Sequence, residues 1–325
     1  MTASLKEEAK SPTPGPASPA SSLLSGAYWA DVGLPEADLE NDLDLTLGSD
    51  VESSIVSISS SIFRYRTING CTYYSDSVTD GEFWGPNDEK ANEVLDIFHH
   101  VWTLTLNGNL YTAPITDDPE NIIDIGTGTG LWALDVADKF PNCSVIGTDI
   151  SPIQPSWVPP NLCYEIDDAS KEWAHKDNHF DFVHIRWLTS AIKDWIAVYK
   201  EAYRCLKPGG WIEHMDCSGQ AISEDDSDGM KAAGFVNLTK KDYLIPVSPW
   251  PKDKKMKEIG LYFRMTWLLD IEGICQFMFS NVMGWEKHEI STYIAHLKAE
   301  MKNPNIHRFV VYRVVYAQKP LDTED

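Results

Sequence analysis

Gly126, Gly128 and Gly130 alternate within the stretch Asn121 to Asp149, and Asp149 closes that stretch after a second apolar run. Glycine accepts φ > 0 and, lacking Cβ, lets backbone N–H groups come close to a ligand. An acidic residue at the carboxyl end of a strand stands where ligands of open α/β sheets bind. A carboxylate there can accept hydrogen bonds from both hydroxyls of a ribose, so the two features point to a nucleoside. Their spacing narrows the choice. A nicotinamide or flavin fingerprint, G-x-G-x-x-G, would place the third glycine at position 131, which is Leu131. The pattern here is D-x-G-x-G-x-G from Asp124, and it disfavours an NAD-dependent oxidoreductase.

The elements that must hold these residues follow from periodicity. Ile122 to Ile125 is a short apolar run suited to a strand buried on both faces. Trp132, Val136 and Phe140, with Ala133 and Ala137, form one face of a helix that Pro141-Asn142 ends. Ser144 to Thr148 reads as the second strand, Leu162 to Ile166 as the third and Phe182 to Ile185 as the fourth. Asp167-Asp168-Ala169 follows the third strand. In register with Asp149, Asp168 can accept from an adenine amino group while the next backbone N–H, that of Ala169, meets a ring nitrogen. Arg186 ends the fourth strand and faces the same cleft.

Beyond it, Ile192, Trp195, Tyr199, Ala202 and Leu206 keep helical spacing up to Lys207-Pro208-Gly209-Gly210, which reads as a helix stop and tight turn. Trp211 to Met215 is a fifth strand carrying Glu213 and His214. Two late strands, one opening at Gly234-Phe235 and one in HRFVVYRVVYAQKP, suit an antiparallel edge, with helices between Pro249 and Met301. A further helix in GPNDEKANEVLDIFHHVW has Asn87 or Asp88 as N-cap and Val94, Leu95, Phe98, Val101 and Trp102 as its apolar face.

Composition sets the outer limits. The 325 residues carry 27 Lys+Arg against 49 Asp+Glu, a net charge of −22 that disfavours nucleic-acid and anionic-membrane surfaces. Six cysteines without a C-x-x-C pair suggest neither a disulfide framework nor a zinc ribbon, and His175 and His179 lack a third ligand, so no metal is expected. The sequence shows no signal-peptide core and no membrane-length apolar run. An intracellular protein, cytoplasmic or nuclear, is expected. Residues 1–58 are poor in aromatics and rich in Ser, Pro, Asp and Glu, a composition read as a disordered acidic tail dispensable for folding. Residues 59–320 are expected to form the folded domain, with 321–325 as a C-terminal tail.

The motif from Asp124 resembles the first motif of class I S-adenosylmethionine (SAM) methyltransferases. From Tyr65 to Pro320 the chain is similar to the fungal LaeA-like methyltransferases in GPNDE, APIT, DIGTGTGLWALDVADKFP, VIGTDISPIQPSWVPPN, IDDA, FDFVHIR, IKDW, LKPGGWIE, AGF, PWPKDKK and IHRFVVYRVVYAQKP. That resemblance implies an α/β, Rossmann-like class I fold, with a seven-stranded, mostly parallel sheet of order 3-2-1-4-5-7-6 and helices on both faces. It implies SAM contacts at Gly126, Gly128, Asp149 and Asp168. With the residues around them, the expected cofactor set is Asp124, Gly126, Thr127, Gly128, Gly130, Asp149, Ile150, Asp168, Ala169 and Arg186.

The expected function is SAM-dependent methyl transfer in fungal secondary metabolism, biosynthetic or regulatory, to a small-molecule or protein acceptor. The competing class is a SAM-binding regulatory subunit of a velvet-type complex with little turnover. If a base is needed, the candidates are His99, His100, His184 and His214. One departure stands out. Between the fifth strand and Gly234 the chain has only DCSGQAISEDDSDGMKAA, shorter than is usual in the family. The acceptor would then be shielded by the segment around Tyr73, Tyr74 and Trp84 or by the helices between Pro249 and Met301, and turnover would be slow or partner-dependent.

Overall fold

The computed structural model describes residues 23–35, 65–68, 71–74, 84–188, 191–217 and 226–321. In chain order it holds α1 (Gly26–Val32), the hairpin strands β1 (Arg66–Ile68) and β2 (Cys71–Tyr73), then α2 (Glu89–Thr105), β3 (Asn121–Ile125) and α3 (Leu131–Lys139). β4 (Ser144–Asp149), β5 (Leu162–Ile166), β6 (Phe180–Arg186), α4 (Trp195–Cys205), β7 (Leu206–Cys217) and α5 (Asp226–Ala232) follow. β8 (Val236–Pro246), α6 (Lys254–Phe277), α7 (Lys287–Lys302) and β9 (Phe309–Gln318) complete it.

Seven strands form one sheet in the order β5-β4-β3-β6-β7-β9-β8. The first five run parallel, and β9 pairs antiparallel with both β7 and β8. This is the expected order, 3-2-1-4-5-7-6. Alternation along β3 explains the layers. Ile122 joins the core under α3 with Trp132 and Val136, while Ile123 and Ile125 point the other way, toward Val198 and Tyr199 of α4. Because both faces are covered, the strand is apolar throughout, and each fully buried isoleucine contributes roughly 1.5–3 kcal/mol. On the α3 side, the apolar stripe of α2 packs against Met215, Tyr312 and Val314 together with Ile259 and Phe263 of α6. Asp88 is the N-cap of α2, its carboxylate accepting from the Ala91 N–H at 3.1 Å.

Three local expectations need correction. Lys207 to Gly210 do not form a free turn after α4 but open β7. Pairing jumps from Phe180–Leu206 to Phe182–Trp211 and leaves the intervening residues as a bulge. The reason lies beyond β9: the Gly209 N–H donates to the Lys319 carbonyl and the Lys319 N–H to the Gly210 carbonyl, both at 2.9 Å, so the chain end satisfies backbone groups that a turn would leave to water.

The segment between β7 and β8 is short yet contains α5, whose Met230 is fully buried. It packs in the core of α4 and not over the carboxyl ends of the strands. Residues 218–225 lie outside the described residues.

The stretch assigned to the tail is not featureless. Residues 23–35 hold α1, which packs on α7, while residues 1–22 and 36–64 lie outside the described residues. Trp29 of α1 meets the Tyr293 ring edge-on at 5.1 Å and lies 5.5 Å from the His296 ring, and His296 Nε2 donates to the Gly33 carbonyl at 2.9 Å. An aromatic pair of this geometry contributes about 0.5–1.5 kcal/mol beyond its buried area. Trp29→Ala is therefore expected to lower the unfolding free energy by at least that amount, read as a lower urea midpoint at an unchanged m-value. An unchanged midpoint would mean that α1 adds nothing to the fold.

Candidate functional site

The loop after β3 is held by its own polar residues. Gly126, Gly128 and Gly130 all have positive φ, at 69°, 59° and 85°, which only glycine takes without strain. A Cβ at Gly126 would come within 2.5 Å of the Leu188 side chain, and one at Gly130 would collide with the Tyr164 hydroxyl. Thr127 is tied down twice: its hydroxyl donates to Asp124 at 2.7 Å and its N–H to the Thr148 carbonyl at 2.8 Å. Asp149, at the end of β4, faces the loop. Its Oδ2 accepts from the Gly128 N–H at 2.8 Å and its Oδ1 from the Ser151 N–H at 2.9 Å. Gln154 completes the strap by donating to the Gly128 carbonyl at 2.6 Å.

A cleft opens above this loop. Its walls are Gly85 to Asn87, the Leu95, Phe98, His99 and Trp102 face of α2, the loop from Gly126 to Thr129, then Asp149, Ser151 and Ile153, and Arg186 to Leu188. Trp187 sits at φ 60°, a costly conformation for a bulky residue, with its ring 4.2 Å from that of Phe98 and stacked 5.8 Å from Tyr312. Asn87 is a wall residue whose buried amide has no partner among the described residues. Sequence reading treated Asn87 only as a helix cap and missed Trp187, Leu188 and Gln154; the cluster GPND is the one signal that could have raised Asn87.

Of the expected cofactor set, Gly126, Thr127, Gly128, Asp149 and Arg186 line the cleft. Asp124, Gly130, Ile150, Asp168 and Ala169 are not among its lining residues. Asp124 is buried and committed to Thr127 and His184. Gly130 caps α3 and receives the Tyr164 hydroxyl on its carbonyl at 2.9 Å. Asp168 turns into its own loop, accepting from the Ser170 N–H, although the Asp167 N–H donates to the Asp149 carbonyl and keeps this loop beside β4.

The four histidines separate clearly. His99 lies in the cleft wall between two partners, its Nε2 2.8 Å from Asp135 Oδ2 and its Nδ1 3.2 Å from an Arg186 guanidinium nitrogen. His100 is exposed and meets Tyr262 on the far side of α2. His184 is fully buried, bonded to Asp124 at 2.7 Å and stacked 3.7 Å over Trp132. His214 is buried on the α4 face, where it bonds the Tyr199 hydroxyl at 2.8 Å and stacks on Trp195. Of the two shielding elements expected for the cleft, no residue of α6 or α7 lines it. Tyr73 and Tyr74 are buried away from it, Tyr73 against Phe277, and Gly85 to Asn87 supply that wall instead.

Burial governs the electrostatics. It pushes the Asp149 carboxyl up to about 6, against the pull of the Ser151 and Gly128 N–H groups, and Glu213 up to about 7. Glu213 is fully buried, with one oxygen taking the N–H groups of Thr112 and Ala113 and the Thr112 hydroxyl. Asp270 is likewise raised to about 6, first by burial. Arg186 is lowered to about 10 by burial.

A raised carboxyl binds its proton more readily in the folded chain than in the unfolded one. Its stabilising contribution is therefore full below the ordinary carboxylate range and lost as pH rises through about 6 to 7. His184 and His179, both held below their ordinary value first by burial, work in the opposite sense, two groups against these three carboxyls. The unliganded protein is thus expected to melt higher near pH 5 than near pH 8. A midpoint that climbs steadily across that range would contradict these environments.

A sheet of this order, with a glycine loop after its first strand and a carboxylate after its second, defines the class I methyltransferase fold. The sequence profile described as "Methyltransferase domain" matches residues 103–270. The methyltransferase pytC of Aspergillus terreus is 34% identical, over 88% of this chain and 97% of that protein. The secondary metabolism regulator LAE1 of Cochliobolus heterostrophus is 27% identical, over 74% and 91%. The protein-methionine methyltransferase laeA of Emericella nidulans is 28% identical, over 84% and 82%. Among solved structures, a Haemonchus contortus phosphoethanolamine N-methyltransferase with S-adenosyl-L-methionine aligns at TM-score 0.42 and 19% identity, over 70% of this chain and 57% of that one. The chain belongs to the methyltransferase family. It is a SAM-dependent methyltransferase related to fungal secondary-metabolism methyltransferases and LaeA regulators. No helix among the described residues is long and apolar enough to cross a membrane.

Proposed function

We propose that the cleft holds SAM with its ribose hydroxyls on Asp149, its methionine portion over the glycine loop and its carboxylate toward Arg186. Asp168 and Ala169, on the loop beside β4, take the adenine. The observation that carries this reading is the Asp149 carboxylate facing the glycine loop across from a cationic Arg186 in one cleft. The residues fit the group: an anion acceptor for hydroxyls, a cation for a carboxylate, and the aromatic faces of Phe98, Trp102 and Trp187 for a sulfonium.

SAM supplies a methyl group whose departure leaves a neutral thioether, so the chain's own part is to position the acceptor and exclude water, worth about 7–11 kcal/mol of the barrier. None of the four histidines offers a free nitrogen to the cleft, which favours an acceptor that arrives already nucleophilic. We place that acceptor beside Trp187, walled by Gly85 to Asn87 and α2. Because α5 packs away from the cleft, turnover is slow or needs a partner to close the site.

The regulator names among the relatives favour a second reading, a SAM-binding subunit of a velvet-type complex working in the nucleus or the cytoplasm. The two readings separate by mass spectrometry of metabolites and proteins from cells with and without the gene. Products heavier by one methyl substitution only when the gene is present support the enzyme. Their absence, with a partner recovered on the chain, supports the subunit.

A further inference from the structure

The contact of Arg186 with His99 and of His99 with Asp135 brings together β6, α2 and α3, elements far apart in sequence. The chemistry of the two ends fixes the middle. A carboxylate only accepts and a guanidinium only donates. His99 therefore carries its proton on Nε2, given to Asp135 at 2.8 Å, and presents the lone pair of Nδ1 to Arg186 at 3.2 Å. Both nitrogens are committed. Drawing a proton from an acceptor would require His99 to release Arg186, so the role of general base conflicts with the geometry.

The guanidinium needs such a partner. Arg186 stands in the cleft wall, and His99 is its one hydrogen-bonded partner among the described residues. No carboxylate among the described residues forms an ion pair with it, so in this part of the structure its charge stays open toward the cleft while one edge is fixed in direction. A planar fork that is already oriented loses less freedom when it takes a carboxylate.

Building on the SAM site proposed above, we propose that His99 is a positioning residue: oriented by Asp135, it aims the Arg186 guanidinium at the carboxylate of the methionine portion of SAM.

The test uses the full chain and two ligands, S-adenosylhomocysteine and 5′-methylthioadenosine, which share the nucleoside and the sulfur but differ in the amino-acid end. His99→Gln, whose amide reaches toward the Nε2 position and leaves Arg186 without its acceptor, is expected to weaken S-adenosylhomocysteine by about tenfold or more, the scale of a lost hydrogen bond to a charged group. Its affinity for 5′-methylthioadenosine should stay within about twofold, since the carboxylate contact is absent from that ligand. His99→Asn places an oxygen near Nδ1 and should restore most of the S-adenosylhomocysteine affinity. Arg186→Gln should abolish the distinction, so that adding His99→Gln to it costs nothing more, as expected for residues acting through one contact.

Asp135 is half-exposed, with 47% of its side chain accessible, so Asp135→Ala tests the same chain of contacts without touching the core. It should weaken S-adenosylhomocysteine alone, by less than His99→Gln does. Equal losses for both ligands, or no loss for S-adenosylhomocysteine in either variant, would overturn the role of His99. Failure of the unaltered chain to bind either ligand would overturn the SAM site itself.

Discussion

Asp149→Ala is expected to weaken SAM binding by about 10- to 150-fold, the range that corresponds to 1.5–3 kcal/mol for hydrogen bonds to a charged group. The carboxylate is partly buried at the end of β4 and holds the Gly128 and Ser151 N–H groups, so its removal would take away the proposed ribose acceptor and loosen the loop together. The loss should also depend on pH. Only the ionised carboxylate accepts from both hydroxyls, and burial holds Asp149 at about 6. Affinity in the unaltered protein should be full above that value and decline as pH falls through it. Titration calorimetry measures both. A variant that keeps its SAM affinity, or gains NAD binding, would show that the ribose lies elsewhere.

Trp132→Ala should destabilise the fold by about 3–5 kcal/mol, the usual cost of emptying a large buried aromatic site. Trp132 is 1% exposed, stacks on His184 and donates its indole N–H to the Leu110 carbonyl at 2.7 Å. It thereby links α3, β6 and the segment before β3. With the ring gone, His184 loses its stacking partner and the Leu110 carbonyl its donor. Trp132→Phe should recover the stacking but not the hydrogen bond, and so part of the loss. Chemical denaturation resolves the series, and a Trp132→Ala midpoint near that of the unaltered chain would mean the pocket collapses without cost.

What could be foreseen depended on range along the chain. The strand runs, the glycine loop and Asp149 are local patterns, each carried by a few adjacent side chains, and they appear where periodicity placed them. The strand order came from family resemblance. Misjudged features share a different cause. Lys207 to Gly210 carry every local mark of a turn and are drawn into β7 by Lys319, more than a hundred residues later. α1 has only Tyr28 and Trp29 as large aromatics in an acidic, serine-rich stretch, and its helix is explained by α7.

In the site, the same holds for function. His99 looked equivalent to His100, because adjacent helical residues cannot be ranked without knowing which face is covered. Asp135 drew no attention, and its role arises only because α3 passes beside α2. His184 looked like a base near the strand end; its burial over Trp132 removes it from the cleft. Asp124, read as a cofactor contact, acts one step behind the loop by tying Thr127 in place.

The cleft at the carboxyl ends of β3, β4 and β6 is the proposed SAM site. A crystal structure of the chain with S-adenosylhomocysteine tests it most directly. The ribose hydroxyls are expected on the Asp149 carboxylate, the sulfur over the loop from Gly126 to Gly128, and the amino-acid carboxylate toward Arg186. Density for the ligand outside this cleft, or a ribose turned away from Asp149, would contradict it.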